Sequence, residues 1–141
     1  MRKRVLFVCD GNTCLSPMAA VLAKKMYGDL VQPESAGLDA GESSARRLAI
    51  EVMREDYDVD ISSHRPRDID QVDLDTFDLV VAMQCRIADE LTLRFELAES
   101  TVITWAIDDP ATMGNRRAYE ECAADIESRL RELRDRCGQG S

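Results

Sequence analysis

The run "VLFV", Val5 to Val8, is apolar at every position, which reads as a strand buried within a covered sheet. It passes straight into "CDGNTCLS". Beyond that loop, "PMAAVLAKKMYG" sets Met18, Val21, Leu22 and Met26 at helical spacing before Gly28 ends the helix. The order strand, loop, helix then recurs. "LVQPESAGL" reads as a second strand with an edge-like proline at Pro33, and "SSARRLAIEVMRE" as a helix capped by Ser43 or Ser44. "DISSHRPRDI" is a polar connector. "FDLVVAM", Phe77 to Met83, is a buried strand, "QCRIADELTLRF" a helix, and "TVITW", Thr101 to Trp105, a fourth short strand. The closing segment carries Ala118, Cys122, Ile126, Leu130 and Leu133 on one face and charged residues on the other, an amphipathic helix. Strands alternating with helices predict an α/β fold, a doubly wound four-stranded parallel sheet with helices on both faces.

Several function classes fall away on composition. The 141 residues fit one domain spanning 1–141, and 45% apolar against 32% charged residues is ordinary for a packed fold. A net charge of −9 without any block of Lys or Arg argues against a nucleic-acid partner or an anionic membrane surface. No apolar run approaches the ~20 residues that span a bilayer, and "MRKR" followed by "VLFV" is too short for a secretory segment, so a cytoplasmic location is expected. Five cysteines, at 9, 14, 85, 122 and 137, are odd in number and lack zinc spacing, which in a reducing compartment predicts free thiols, no metal and no cofactor. Cys85 and Cys122 read as helix-packing thiols and Cys137 as an exposed tail thiol. His64, the single histidine, has a hydrogen-bonding role in the connector, and Trp105 belongs to the core.

The chemistry gathers in the first loop. In a parallel sheet ligands bind outside the carboxyl ends of the strands, where both the Cys9 loop and the turn after Trp105 lie. Gly11 permits backbone angles that other residues resist, and the helix starting near Ser16 aims its free N–H groups into the loop, a recipe for holding an anion. A thiol at that helix end has its thiolate favoured, and Ser16 is placed to donate to it, so Cys9 is a candidate nucleophile. The same letters also make a tight turn with a buried thiol, and physics alone leaves the two readings even.

The stretch "VLFVCDGNTCLSPMA" resembles the signature of low-molecular-weight protein-tyrosine phosphatases and the related thioredoxin-coupled arsenate reductases, C-x-G-N-x-C-R-S. "SAGL" at Ser35, "DISSHRPRDI" at Asp60, "FDLVVAM" at Phe77 and "DDP" at Asp108 extend the likeness over nearly the whole chain. The resemblance implies the phosphotyrosine protein phosphatase I-like fold. It implies Cys9 as the nucleophile on phosphorus, Asn12 and Ser16 as organisers of loop and thiolate, and Asp109 as the general acid. The backbone from Asp10 through Gly11, Asn12, Thr13, Cys14 and Leu15 to Ser16 would hold the phosphoryl oxygens. Implied partners are a phosphorylated protein or small phosphoester, with inorganic phosphate or a similar oxyanion. Cys9 and Cys14 would form a reversible redox pair, although Cys14 serves equally as a small loop filler.

One signature letter departs. Where the family has its phosphate-clamping arginine this chain has Leu15. Two lost charge-assisted hydrogen bonds at ~1.5–3 kcal/mol each amount to a rate loss on the order of 10²–10⁴. Asp10 beside the nucleophile opposes both a thiolate and an incoming dianion. Arg65 and Arg67 are the obvious cations that would have to swing in. The expected activity is therefore weak or lost phosphomonoester hydrolysis. A pseudophosphatase that only binds, or an arsenate reductase-like thiol protein, are the alternatives. No aromatic follows "DDP", where phosphotyrosine enzymes of the family flank the cleft. "TWAIDDPA" is closer to the reductase ending, yet Cys85 alone stands on the segment where a relay needs two cysteines.

Overall fold

A computed structural model describes residues 2–42 and 44–138. Strand β1 (Lys3–Cys9) leads to helix α1 (Leu15–Tyr27), β2 (Val31–Gly37) to α2 (Arg47–Tyr57), and β3 (Leu79–Ala82) to α3 (Cys85–Phe95). Strand β4 (Val102–Thr104) precedes the long α4 (Arg116–Gly138). The four strands form one sheet in the order β2-β1-β3-β4, every neighbouring pair parallel. This is the doubly wound α/β architecture that the alternation of apolar runs and helical periods predicts.

The period of two along β1 divides the interior into two cores. Val5 and Phe7 face α1, α2 and α4, where they meet Met18, Leu22, Met53 and Ile126. Leu6 and Val8 face the other way, onto Ile87 and Leu91 of α3 and onto Ile69 and Phe77. Because β1 is central, all four of these side chains are fully buried. Pro33 lies on β2, an edge strand, where its missing N–H breaks no ladder to an outer neighbour. Pro17 sits in the first turn of α1, where no intrahelical donor is required of it.

Several local expectations are corrected. Phe77 and Asp78 precede β3 rather than belonging to it. A 3₁₀ turn at Leu74–Thr76, capped by Asp73, delivers Phe77 under the Arg4 guanidinium, and the Asp78 carboxylate accepts from the Arg4 amide at 2.8 Å. Helix α2 starts at Arg47 with Arg46 as its cap residue and without a side-chain cap, so Ser44 does not cap it; Ser43 lies outside the described residues. The thiols exchange places. Cys85 opens α3 and is exposed, whereas α4 continues far enough for Cys137 to extend the apolar face of Ile126, Leu130 and Leu133. No helix among the described residues is long and apolar enough to cross a membrane.

The register carries Cys9 opposite Gly37 and so brings the end of β2 against the loop after β1. A Cβ on Gly37 would lie 2.6 Å from the Asp10 carbonyl oxygen and 2.9 Å from the Asn12 amide nitrogen. Gly37→Ala is therefore expected to lower stability by roughly 1–3 kcal/mol, because backbone rather than a flexible side chain must move. Gly41→Ala meets nothing within 4 Å and should stay within about 0.5 kcal/mol of the parent. Urea unfolding of the two variants checks both; equal midpoints would contradict the close approach.

Candidate active site

The loop from Asp10 to Cys14 joins the central strand to α1 and is fastened from both neighbouring strands. The Leu38 amide donates to the Cys9 carbonyl at 3.0 Å, Asp39 to Asp10 at 2.8 Å, and Met83 to Val8 at 3.0 Å. From α2, the Arg46 amide donates to the Thr13 carbonyl at 2.8 Å. Glycine freedom is not what the turn uses. Gly11 keeps an ordinary backbone, and the left-handed residue is Asn12, at φ 57°. Asparagine is among the few residues that adopt this region readily.

Asn12 is fully buried and every polar end of it is used. Its Oδ1 accepts the Arg67 amide at 3.0 Å, so its Nδ2 faces Ser16 and donates to Oγ at 2.8 Å. The Asn12 carbonyl lies 2.8 Å from Nε2 of His64. A carbonyl only accepts, so that ring nitrogen carries the proton. Partial burial, helped by Arg67 and Arg65, holds the His64 pKa below its ordinary value against the pull of this hydrogen bond. His64 is thus a neutral prop for the loop, as its place in the connector suggests.

Ser16 hands this order on to the thiol. Its Oγ is 2.9 Å from Cys9 Sγ and 3.5 Å from the Ala36 carbonyl. Since Asn12 occupies the hydroxyl as a donor, the Ser16 hydrogen is left for one of two acceptors. With Cys9 protonated it turns to Ala36; with Cys9 ionised it turns to sulfur. Burial pushes the Cys9 thiol above its ordinary pKa, and Asp10 adds to the rise. The Ser16 hydroxyl and the amides of Ser16 and Asn12 pull the other way. Burial prevails, which corrects the expectation that the helix end alone favours thiolate.

Above the thiol lies a cavity of about 440 Å³. Cys9, Asp10, Gly11, Thr13, Cys14 and Leu15 form its loop side, while Asn12 and Ser16 support that side from beneath. Asp109 and Gln84 also line it, and Asp109 accepts from the Ala111 amide at 2.9 Å. Asp39, Glu42 and Arg46 complete the rim. No aromatic residue is among the described residues that line it. Leu15, 4% exposed, is the first residue of α1 and packs into the core beside Cys14 and Met18. The Cys14 sulfur points down the helix to Met18 Sδ at 3.8 Å, and burial raises its pKa strongly. Cys9 and Cys14 are both free.

Neither expected rescuing cation reaches the cavity. Arg67 is held by Glu34 at 2.6 Å and by the Ser35 carbonyl at 3.1 Å, while Arg65 bonds the carbonyls of Ser63 and His64. Asp10 is exposed and pairs with Arg86, which offsets part of the charge it sets beside Cys9. Asp39, Gly41, Glu42, Arg46 and Gln84 are the lining residues that motif reading missed. Their signal was positional: the crossover rule brings every strand-to-helix turn to the same sheet edge.

The low molecular weight phosphotyrosine protein phosphatase model matches residues 4–139. The chain belongs to that family. A solved low molecular weight protein tyrosine phosphatase from T. tengcongensis superposes with a TM-score of 0.86 at 32% identity, over 95% of this chain and 99% of that one. An arsenate reductase of Staphylococcus epidermidis is 38% identical over 112 residues, 78% of this chain and 80% of that protein. A protein-arginine-phosphatase of Geobacillus stearothermophilus is 33% identical over 104 residues, 74% of this chain and 70% of the relative. The parallel sheet and its helices are those of the family.

Ser16→Ala removes the hydroxyl that favours the thiolate while leaving the burial that opposes it. The Cys9 pKa should rise further, and iodoacetamide labelling of Cys9 at neutral pH should slow by roughly tenfold, the worth of one hydrogen bond to a charged group. Mass-spectrometric labelling across a pH series reads this as a midpoint displaced upward. An unchanged midpoint would show that Ser16 does not act on the sulfur.

Proposed function

We propose that the chain hydrolyses phosphomonoesters through a Cys9 phosphocysteine intermediate, slowly, with Asp109 as the general acid. The observation that carries this reading is the Cys9–Ser16 contact at 2.9 Å beside a cavity that Cys9 and Asp109 both line. In the first step the Cys9 proton passes to Asp109, the thiolate sulfur forms a bond to phosphorus as the ester P–O bond breaks, and Asp109 gives that proton to the departing oxygen. In the second, water attacks phosphorus, Asp109 takes the water's proton, and the S–P bond breaks to release inorganic phosphate. The amides from Asp10 to Ser16 receive the phosphoryl oxygens.

Slowness follows from Leu15, which offers no hydrogen bond to those oxygens. The substrate class is a phosphorylated protein or a small phosphoester, in the cytoplasm. Phosphotyrosine is disfavoured because no described lining residue would stack on its ring, and a phosphorylated side chain with a polar or cationic body suits the acidic rim better. Leu15 itself favours a second reading, a pseudophosphatase that only binds an anion or a protein partner. A third, thiol redox chemistry at Cys9 and Cys14, is supported by the relatives named arsenate reductases. It is weakened by Cys85 being the one cysteine on α3.

Phosphate release from an aryl phosphate separates the three. The wild-type chain should turn over slowly and be inhibited by vanadate, Cys9→Ser should be inactive, and Leu15→Arg should be faster by about 10²–10⁴. Turnover by Leu15→Arg but none by wild type would establish the pseudophosphatase. Arsenate reduction with a thioredoxin-type partner, without phosphate release, would establish the third.

A further inference from the structure

A dianion entering this cavity meets four carboxylates: Asp10, Asp39, Glu42 and Asp109. Asp10 is answered by Arg86 from outside the cavity, and Arg67 is committed to Glu34. That leaves Arg46 as the one cation among the described lining residues. Its placement is built in. Ala45, directly before it, is 5% exposed and lies in the core, and the Arg46 amide is bonded to the Thr13 carbonyl at 2.8 Å. The root of the side chain is thereby tied to the loop that bears Cys9, while the guanidinium is exposed and belongs to none of the ion pairs among the described residues. Its charge reaches the neighbourhood of the thiol loop: at Cys14 and at Tyr119, where burial drives the pKa up, Arg46 opposes the rise.

We propose that Arg46, at the head of α2, supplies the positive charge and paired N–H donors for the phosphoryl oxygens that Leu15 in the loop cannot supply. The inference rests on the phosphoryl-transfer reading above and adds its missing charge. A guanidinium presents two parallel donors to two oxygens of one phosphoryl group, the geometry that a lysine does not reproduce. Arriving from the rim rather than from the floor, it grips the oxygens that point out of the nest. It transfers no proton and forms no bond. It also selects among substrates, since a phosphoryl group is accepted beside the acidic rim only where Arg46 meets it.

The test combines turnover of an aryl phosphate with calorimetric titration of inorganic phosphate, on wild type, Arg46→Ala, Arg46→Lys and Arg47→Ala. Arg47 is the control, being exposed and paired with Glu51 along the helix at 2.8 Å. Arg46→Ala should lower kcat/KM by about 10- to 100-fold and weaken phosphate binding by about tenfold, with Arg46→Lys regaining part of each, the scale of one lost oxyanion donor. In a Leu15→Arg background the same Arg46→Ala change should cost less than about threefold, because the loop then carries its own clamp. If Arg46→Ala keeps both quantities within about twofold of wild type, the proposal is overturned. If wild type shows no Cys9-dependent turnover, the hydrolysis reading falls, and phosphate affinity alone decides Arg46. A loss in Arg46→Ala then sustains it, and no loss, or no phosphate binding by wild type, overturns it.

Discussion

Asn12 is the constraint on which the loop depends. A residue other than glycine at φ 57° gives up on the order of 1 kcal/mol of local backbone energy. The connector offsets it through the Arg67 amide on Oδ1 and His64 on the carbonyl. These bonds fix which face of the amide turns to Ser16, and so leave the Ser16 hydrogen free to follow the charge on Cys9. The segment from Ile61 to Asp68 is distant in sequence from Cys9, yet it determines the hydrogen-bond polarity around the sulfur. The bridge between Gly37 and Asp68 keeps that segment against the end of β2, where the loop is also anchored.

Much of the fold was readable because apolar periodicity reports burial directly. Continuous runs at Val5 and Leu79 became the central strands, and Pro33 marked an edge because a missing donor is tolerated only there. The errors share one cause: element ends are set by hydrogen bonds that no pattern displays. Phe77 left the strand because Asp73 caps a turn before it. Cys137 reads from the sequence as an exposed tail thiol, but α4 continues and places it four residues after Leu133, on the same face. Cys85 was expected to pack, but it opens its helix on the outward side.

The site was less evenly legible. Its candidate nucleophile Cys9, the supporting Ser16 and the acid candidate Asp109 lie next to landmarks in the sequence, a strand end, a helix start and a proline. Local reading finds such residues. The electrostatics are not local, since a helix N-terminus argues for a thiolate while burial of the sulfur argues against it. In the unliganded site desolvation exceeds what the Ser16 hydroxyl and two amides return. Arg46 was invisible for a different reason. It stands 31 residues from Leu15 by numbering, and only the crossover geometry makes the two neighbours of one cavity.

A phosphate-binding loop divides its work between shape and charge, and in the reading proposed for Arg46 this chain separates the two. The shape comes from Asn12, Gly37 and the amides at the start of α1, and none of these requires a cation to hold its place. The charge is a side chain that can be moved, provided that it reaches the same oxygens. Leu15 uses its position for the core, packing with Met18 under the loop. Such packing stabilises the helix start on which the nest depends, whereas a buried arginine without a bound anion would stand uncompensated beside the thiol. Leucine at that position leaves the unliganded loop without a buried charge, and under the proposed role of Arg46 the electrostatic demand falls on the rim, where water screens a guanidinium until an anion arrives.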